Sequence, residues 1–255
     1  MIDVHCHLEQ REYDGIRDRI IQKAKDEGLK AVITCCAHPS DLDLTISIVK
    51  KHKNFVFATV SLHPEYVEDF SFEQVDEYFE KIRNVKDNIV GIGETGLDYF
   101  WVKEHEWREK QKQLFIKHLM LAEKLRKPII IHSRNAFNDT IEILETYNVR
   151  RVHWHMFGAH HLWKRVVDNG WYISVNTIIY RSKKHKKVVR DVPLERIMLE
   201  TDAPWLSLEK GKVNEPTSIK LVAQRVAEIK GLTFGEVWEI CGRNAVKFYK
   251  LPLQL

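Results

Sequence analysis

Short apolar runs alternate with longer amphipathic stretches along all 255 residues, and this rhythm constrains the fold more than any other feature. A short apolar run between turn residues reads as a strand buried on both faces, and an amphipathic stretch as a helix that covers it. The strand candidates are residues 2–5, 31–36, 55–62, 89–93, 128–132, 151–155, 171–175 and 196–200. Helix-like segments occupy 13–27, 39–52, 72–83, 106–126, 137–147, 160–169, 183–190 and 219–229, with another near 234–249. About eight strand–helix units in roughly 250 residues fit an α/β fold of the single (β/α)8 TIM-barrel type better than a doubly wound sheet, which has fewer strands. No Gly/Ser-rich linker, low-complexity segment or further repeat interrupts the pattern, so residues 1–255 are expected to form one domain.

A chain of this size buries roughly 70–75% of its unfolded surface and needs neither disulfides nor a structural metal to hold together. Metal-ligating residues therefore call for another explanation. The balance of 40 Lys+Arg against 36 Asp+Glu, a net +4, is too mild for an architectural nucleic-acid binder. Cys6, Cys35, Cys36 and Cys241 show no CxxC pairing, which argues against a disulfide scaffold. The opening Met1-Ile2-Asp3-Val4-His5-Cys6-His7 lacks the apolar core of a signal peptide, and no run approaches the ~20 apolar residues of a membrane span. The expectation is a cytoplasmic protein without membrane attachment.

In a parallel barrel the catalytic groups project from the C-terminal ends of the strands, where the loops converge on one mouth. Those ends carry His5 and His7, His63, Glu94, His132, His155 and Asp202. Taken singly, each has an ordinary role: a polar strand end, a helix cap, a satisfied core histidine. Their shared position on so many strands is what argues for a site. His5 and His7, two apart in an extended segment, point to the same side and can reach one ion. His153 and His155 also share a face; His155, nearer the strand end, is the candidate ligand, and His153 is expected to be structural. His5, His7, His132 and His155 with Glu94 and Asp202, four imidazoles and two carboxylates, suit borderline divalent cations such as Zn²⁺ or Mn²⁺ and exceed what one closed tetrahedral site uses. Two ions about 3.5–4 Å apart that share Glu94 would use all six, activating water and neutralising charge on a phosphate or carbonyl oxygen.

Gly91-Ile92-Gly93-Glu94-Thr95-Gly96 matches GxGxxG after a strand, but a pyrophosphate cradle would set Glu94 against phosphates, and no helix signal begins at its third glycine. The glycines fit a tight turn at the metal site instead. No GxSxG, HExxH or Walker A pattern occurs.

With these segments in view, the chain resembles the TatD family of metal-dependent deoxyribonucleases, within the amidohydrolase-type barrels, over nearly its whole length. The segments that carry the resemblance are Asp3-Val4-His5-Cys6-His7, Leu62-His63-Pro64, Gly93-Glu94-Thr95-Gly96-Leu97-Asp98-Tyr99, Ile131-His132-Ser133-Arg134, His155-Met156-Phe157 and Glu200-Thr201-Asp202-Ala203-Pro204-Trp205. The resemblance implies that His5, His7, Glu94 and Asp202 hold one divalent metal and that Glu94, His132 and His155 hold the other, as Zn, Mn or Mg. It implies a DNA substrate, with 3'-5' exonucleolytic trimming of single strands among the family's activities. The chain departs from the family pattern in reading His155-Met156-Phe157-Gly158-Ala159 for His-Cys-Phe-Ser-Gly and His63-Pro64-Glu65 for His-Pro-His. Segment 176–181 also lacks the glycines common there.

On this reading Asp202 and Glu94 are catalytic, with Asp202 as acceptor of the attacking water's proton, and His63 and Arg134 are candidate phosphate contacts. Arg181, Lys183, Lys184, Lys186, Lys187 and Arg190 after the seventh strand form either a solvated helix face or a patch that steers a phosphate backbone, and Trp101, Trp107 and Trp205 either pack on the core or rim or stack on bases. Hydrolysis of a small amide, lactone or ester is the alternative, and a metal-free scaffold that binds nucleic acid or protein is a third reading.

Overall fold

The computed structural model describes residues 1–254. Eight parallel strands, β1 (Ile2–Cys6), β2 (Ala31–Cys36), β3 (Val56–Val60), β4 (Gly91–Asp98), β5 (Ile129–Arg134), β6 (Val152–Trp154), β7 (Tyr172–Val175) and β8 (Ile197–Leu199), pair in chain order. Around them lie α1 (Arg17–Asp26), α2 (Leu42–Lys51), α3 (Phe72–Asn84), α4 (His105–Lys124), α5 (Phe137–Thr146), α6 (Trp163–Asp168), α7 (Lys183–Asp191), α8 (Ile219–Lys230) and α9 (Phe234–Tyr249). This is the TIM barrel that the alternation of runs predicts. Among the described residues, no helix is long and apolar enough to cross a membrane.

Two apolar layers hold it together. Val32, Ile129, Ile131, Ile173, Ile197 and Leu199 face outward under the helices. Ile2, Val4, Ala31, Ile33, Ile130 and Met198 pack inside the barrel with Phe248, Tyr249 and Leu251, so the end of α9 plugs its floor. Both α3 and α9 start with capping boxes, Ser71 with Gln74 and Thr233 with Glu236, which satisfy the orphan amides of the first turn.

The ring is completed at the β8–β1 seam without a regular ladder. The Asp202 amide donates to the His5 carbonyl at 2.9 Å, the His7 amide donates to the Ala203 carbonyl at 2.7 Å, and the buried Asp3 carboxylate accepts from the Thr201 amide at 3.0 Å and the Thr201 hydroxyl at 2.5 Å. On the far side β4 runs five residues beyond the expected end at 93, because Thr95, Gly96, Leu97 and Asp98 pair with Ile131, His132, Ser133 and Arg134. That pairing demands glycine: a Cβ on Gly96, whose φ is +142°, would meet the His132 carbonyl oxygen at 2.1 Å.

Candidate metal centre

Strict alternation along β1 would turn His5 outward, since Ile2 and Val4 already face the interior. The β1–β2 register shifts between Asp3 and Cys6, and this irregularity swings His5 and His7 into the mouth. A second shift, between Ile92 and Thr95, falls where β4 presents Glu94. There the Cys35 thiol donates to the Gly93 carbonyl and accepts the Glu94 amide at 3.0 Å, while the Ser61 hydroxyl donates to the Glu94 carbonyl. Burial pushes the Cys35 thiol well above its ordinary range, so it clamps the backbone as a neutral thiol.

Five side chains meet around Glu94. On one side His5 Nε2 and His7 Nε2 stand 3.1 Å apart, with Glu94 Oε1 at 3.5 and 3.7 Å from them and Asp202 Oδ1 at 3.7 and 3.5 Å. On the other, Glu94 Oε2 lies 3.4 Å from His132 Nδ1 and 3.7 Å from His155 Nε2. The His5 and His155 rings stack with centroids 3.9 Å apart, which sets the two halves side by side. Four donors bound tetrahedrally at 2.0–2.2 Å from one centre would stand about 3.3–3.6 Å from each other, so the first group already has the spacing of a coordination shell. Glu94 Oε2 is buried without a hydrogen bond, a costly state for a carboxylate oxygen that a cation would relieve. The donor set fits divalent metal.

Behind the imidazoles stand carboxylates that the sequence reading did not single out. His7 Nδ1 faces Glu9 Oε1 at 3.3 Å, His132 Nε2 faces Asp98 Oδ2 at 2.8 Å, and His155 Nδ1 faces Glu200 Oε2 at 3.0 Å. Such partners fix ring orientation and sharpen the opposite nitrogen as a ligand. Glu9 and Glu200 were findable, as carboxylates two residues past His7 and at the end of an apolar strand. From Glu200 the network continues down the barrel. Ser174 Oγ donates to Glu200 Oε2, so it must accept from His153 Nε2–H at 2.6 Å, which leaves His153 Nδ1 to accept the Tyr249 hydroxyl at 2.6 Å. His153 is thus structural, as expected.

Burial alone would push these histidines down, but the carboxylates outweigh it, raising His132 to about 9 and His155 to about 10. For Glu94, the facing His5 and His155 overcome burial and hold the carboxyl well below its usual range. The raised histidines stabilise the metal-free fold fully below pH ~6.5, a contribution lost as pH climbs through 9 to 10. A cation must displace those protons. Metal binding at pH 7 is therefore expected to release protons, with affinity rising with pH; calorimetry in buffers of differing ionisation heat reads the number released. No proton release, with affinity flat from pH 6 to 8, would contradict this.

The model of the family described as TatD related DNase matches residues 2–250. The chain belongs to that family. It is 31% identical over 258 residues to deoxyribonuclease TATDN3 of Homo sapiens, covering 98% of this chain and 94% of the human protein. It is 32% identical over 252 residues to an uncharacterized metal-dependent hydrolase of Methanocaldococcus jannaschii, covering 99% and 98%. Among solved structures, YJJV, a TatD homolog from Escherichia coli K12, superposes with a TM-score of 0.90 at 25% identity over 99% of this chain and 98% of that one.

Around this TatD-type centre the rim residues separate into two groups. His63 is buried with its ring 4.4 Å from that of His132; burial lowers it to about 3, and its Nδ1 accepts the Glu65 amide at 3.2 Å, which leaves Nε2 carrying the proton. Glu65, where the family pattern has histidine, lies 3.5 Å from His63 Nδ1. Arg134 stacks on Phe100 at 3.6 Å, with Trp101 at 5.4 Å. Trp101 and Trp205 are exposed, Trp205 edge-on to His7 at 4.5 Å. Trp107 packs against the outer core beneath Lys110 instead, which removes it from the rim.

Proposed function

We propose that the chain is a divalent-metal-dependent deoxyribonuclease that cleaves DNA phosphodiester bonds, with single strands trimmed from a 3' end as its preferred substrate. The observation that carries this reading is the split donor set around Glu94, with one carboxylate oxygen facing each group of imidazoles at 3.4–3.7 Å. His5, His7, Asp202 and Glu94 Oε1 would hold one cation, and Glu94 Oε2, His132 and His155 a second, as Zn, Mn or Mg. Bound there, such cations supply Lewis acidity and an activated water for attack on phosphorus.

The chain's own residues supply the rest. Asp202 has a side chain 13% exposed against 7% for Glu94, so it is the carboxylate better placed to take the water's proton. His63 Nε2–H would donate to a phosphate oxygen, and Arg134, braced on Phe100, would offer a bidentate fork to the next phosphate. The four cysteines are buried free thiols, which suits a reducing, cytoplasmic setting.

Assaying the purified protein on single- and double-stranded oligonucleotides and on small amides, lactones and esters, across Mg²⁺, Mn²⁺, Zn²⁺ and chelator, tests the reading. Metal-dependent cleavage of DNA, fastest on single strands and abolished by chelator, is expected. Turnover of the carbonyl substrates alone would replace it with the alternative hydrolase.

A further inference from the structure

The loop after β6 begins at the metal-centre residue His155 and goes on to form one wall of a groove of about 480 Å³, whose other wall is α7. Gly158, His160 and His161 line it from the loop, and Lys183, Lys184 and Lys187 from the helix. The walls are fixed against each other: His185, buried and hydrogen-bonded to Ser182 Oγ at 2.7 Å, packs so tightly on Gly158 that a Cβ there would stand 2.6 Å from its Nε2. A larger residue at 158 would lift the loop off α7.

The fold gains nothing from the charge in this groove. α7 opens with Lys183 and Lys184 and has no acid in its first turn. Cations there oppose the helix dipole, and lysines three and four residues apart repel. The helix's one carboxylate, Asp191, is already engaged by His160 at 2.6 Å and Arg190 at 2.7 Å. The other basic residues after β7 are spent or set back: Arg181 donates to the Ser207 and Leu208 carbonyls, and Lys186 is half-buried. What remains is three exposed lysines, without a salt-bridge partner among the described residues, on one groove whose loop wall begins three residues after His155.

We infer that this groove is the track along which the phosphate backbone of a single-stranded nucleic acid reaches the metal centre, an inference that rests on the nuclease reading above. The lysines bind phosphates without reading bases, so the contribution is independent of sequence and sensitive to salt.

The test replaces all three lysines together, Lys183→Gln, Lys184→Gln and Lys187→Gln, and follows labelled oligothymidylate by fluorescence anisotropy in chelator, where nothing is cleaved. Three lost phosphate contacts should reduce the slope of log Kd against log salt by about 2, at ~0.7 per contact on a single strand. With metal restored, KM for the oligonucleotide should rise several-fold while turnover of bis(p-nitrophenyl) phosphate, too short to enter the track, stays unchanged. A control triple, Lys53→Gln, Arg126→Gln and Lys250→Gln, removes the same charge from a cavity at the opposite end of the barrel. An unchanged slope and KM in the groove variant, or an equal loss in the control, overturns the track. A wild-type protein that binds the oligonucleotide through these lysines yet cleaves no DNA would defeat the nuclease reading instead and leave the groove standing.

Discussion

Glu94→Gln is expected to weaken both proposed metal sites, leaving one bound ion or none, and to reduce DNA cleavage by about 10²–10³-fold, the scale of losing an electrostatic stabiliser from a water-excluded site. The two oxygens of Glu94 face different imidazole groups, His5 and His7 through Oε1, and His132 and His155 through Oε2. An amide keeps the shape but offers one neutral oxygen where two charged ones stood. The barrel should survive, since Glu94 belongs to neither apolar layer, and thermal unfolding of the metal-free variant should stay cooperative. Metal content by elemental analysis, set beside the initial rate, reads the result; two ions at unchanged affinity would sink the bridging role.

Asp202→Asn should separate proton transfer from metal retention. Its carboxylate faces His5 and His7 on one side and the open mouth on the other, and those rings, outweighing burial, hold it ionised below its ordinary range. Asparagine preserves an oxygen at the same place without the charge or the basicity. At saturating metal, kcat for an oligonucleotide should fall by about 10²-fold or more with KM changed far less, because the phosphate contacts lie on other residues. Near-normal kcat at full metal content would leave Asp202 with ligation alone.

The barrel was legible because a parallel strand buried on both faces leaves an uninterrupted apolar run, as in Ile129-Ile130-Ile131, and β2 falls at the residues expected of it. The strand that was misjudged is β4. Its Glu94-Thr95-Gly96-Leu97-Asp98 half reads as a turn, yet it pairs with β5, because pairing depends on a partner strand that lies more than thirty residues on. The six residues that meet at the mouth, Glu94 among them, stand at strand ends, which is the pattern visible in the sequence. What held them was harder to see: the register shift that turns His5 inward depends on β2 as much as on β1, and Asp98 looks like any loop carboxylate until His132 stands against it. For Trp107 the sequence leaves core and rim open, since a tryptophan after a strand looks the same whichever its ring covers, and the structure packs it against the outer core.

The seam between β8 and β1 makes the centre a sensor of its own completeness. His5 and His7 come from the first strand and its loop, Asp202 from beyond the last, and the bonds from Asp3 to Thr201 span 198 residues of chain. One half of the donor set therefore does not exist until the two ends of the ring have met. During synthesis the first histidines emerge long before their carboxylate partner, and a partly made or open barrel would present only a loose pair of imidazoles to a cation. Coordination by the proposed donor set would then act as a clasp: whatever free energy a cation contributed would be delivered only to closed rings. Chains that fail to close would then be both inactive and less protected from unfolding.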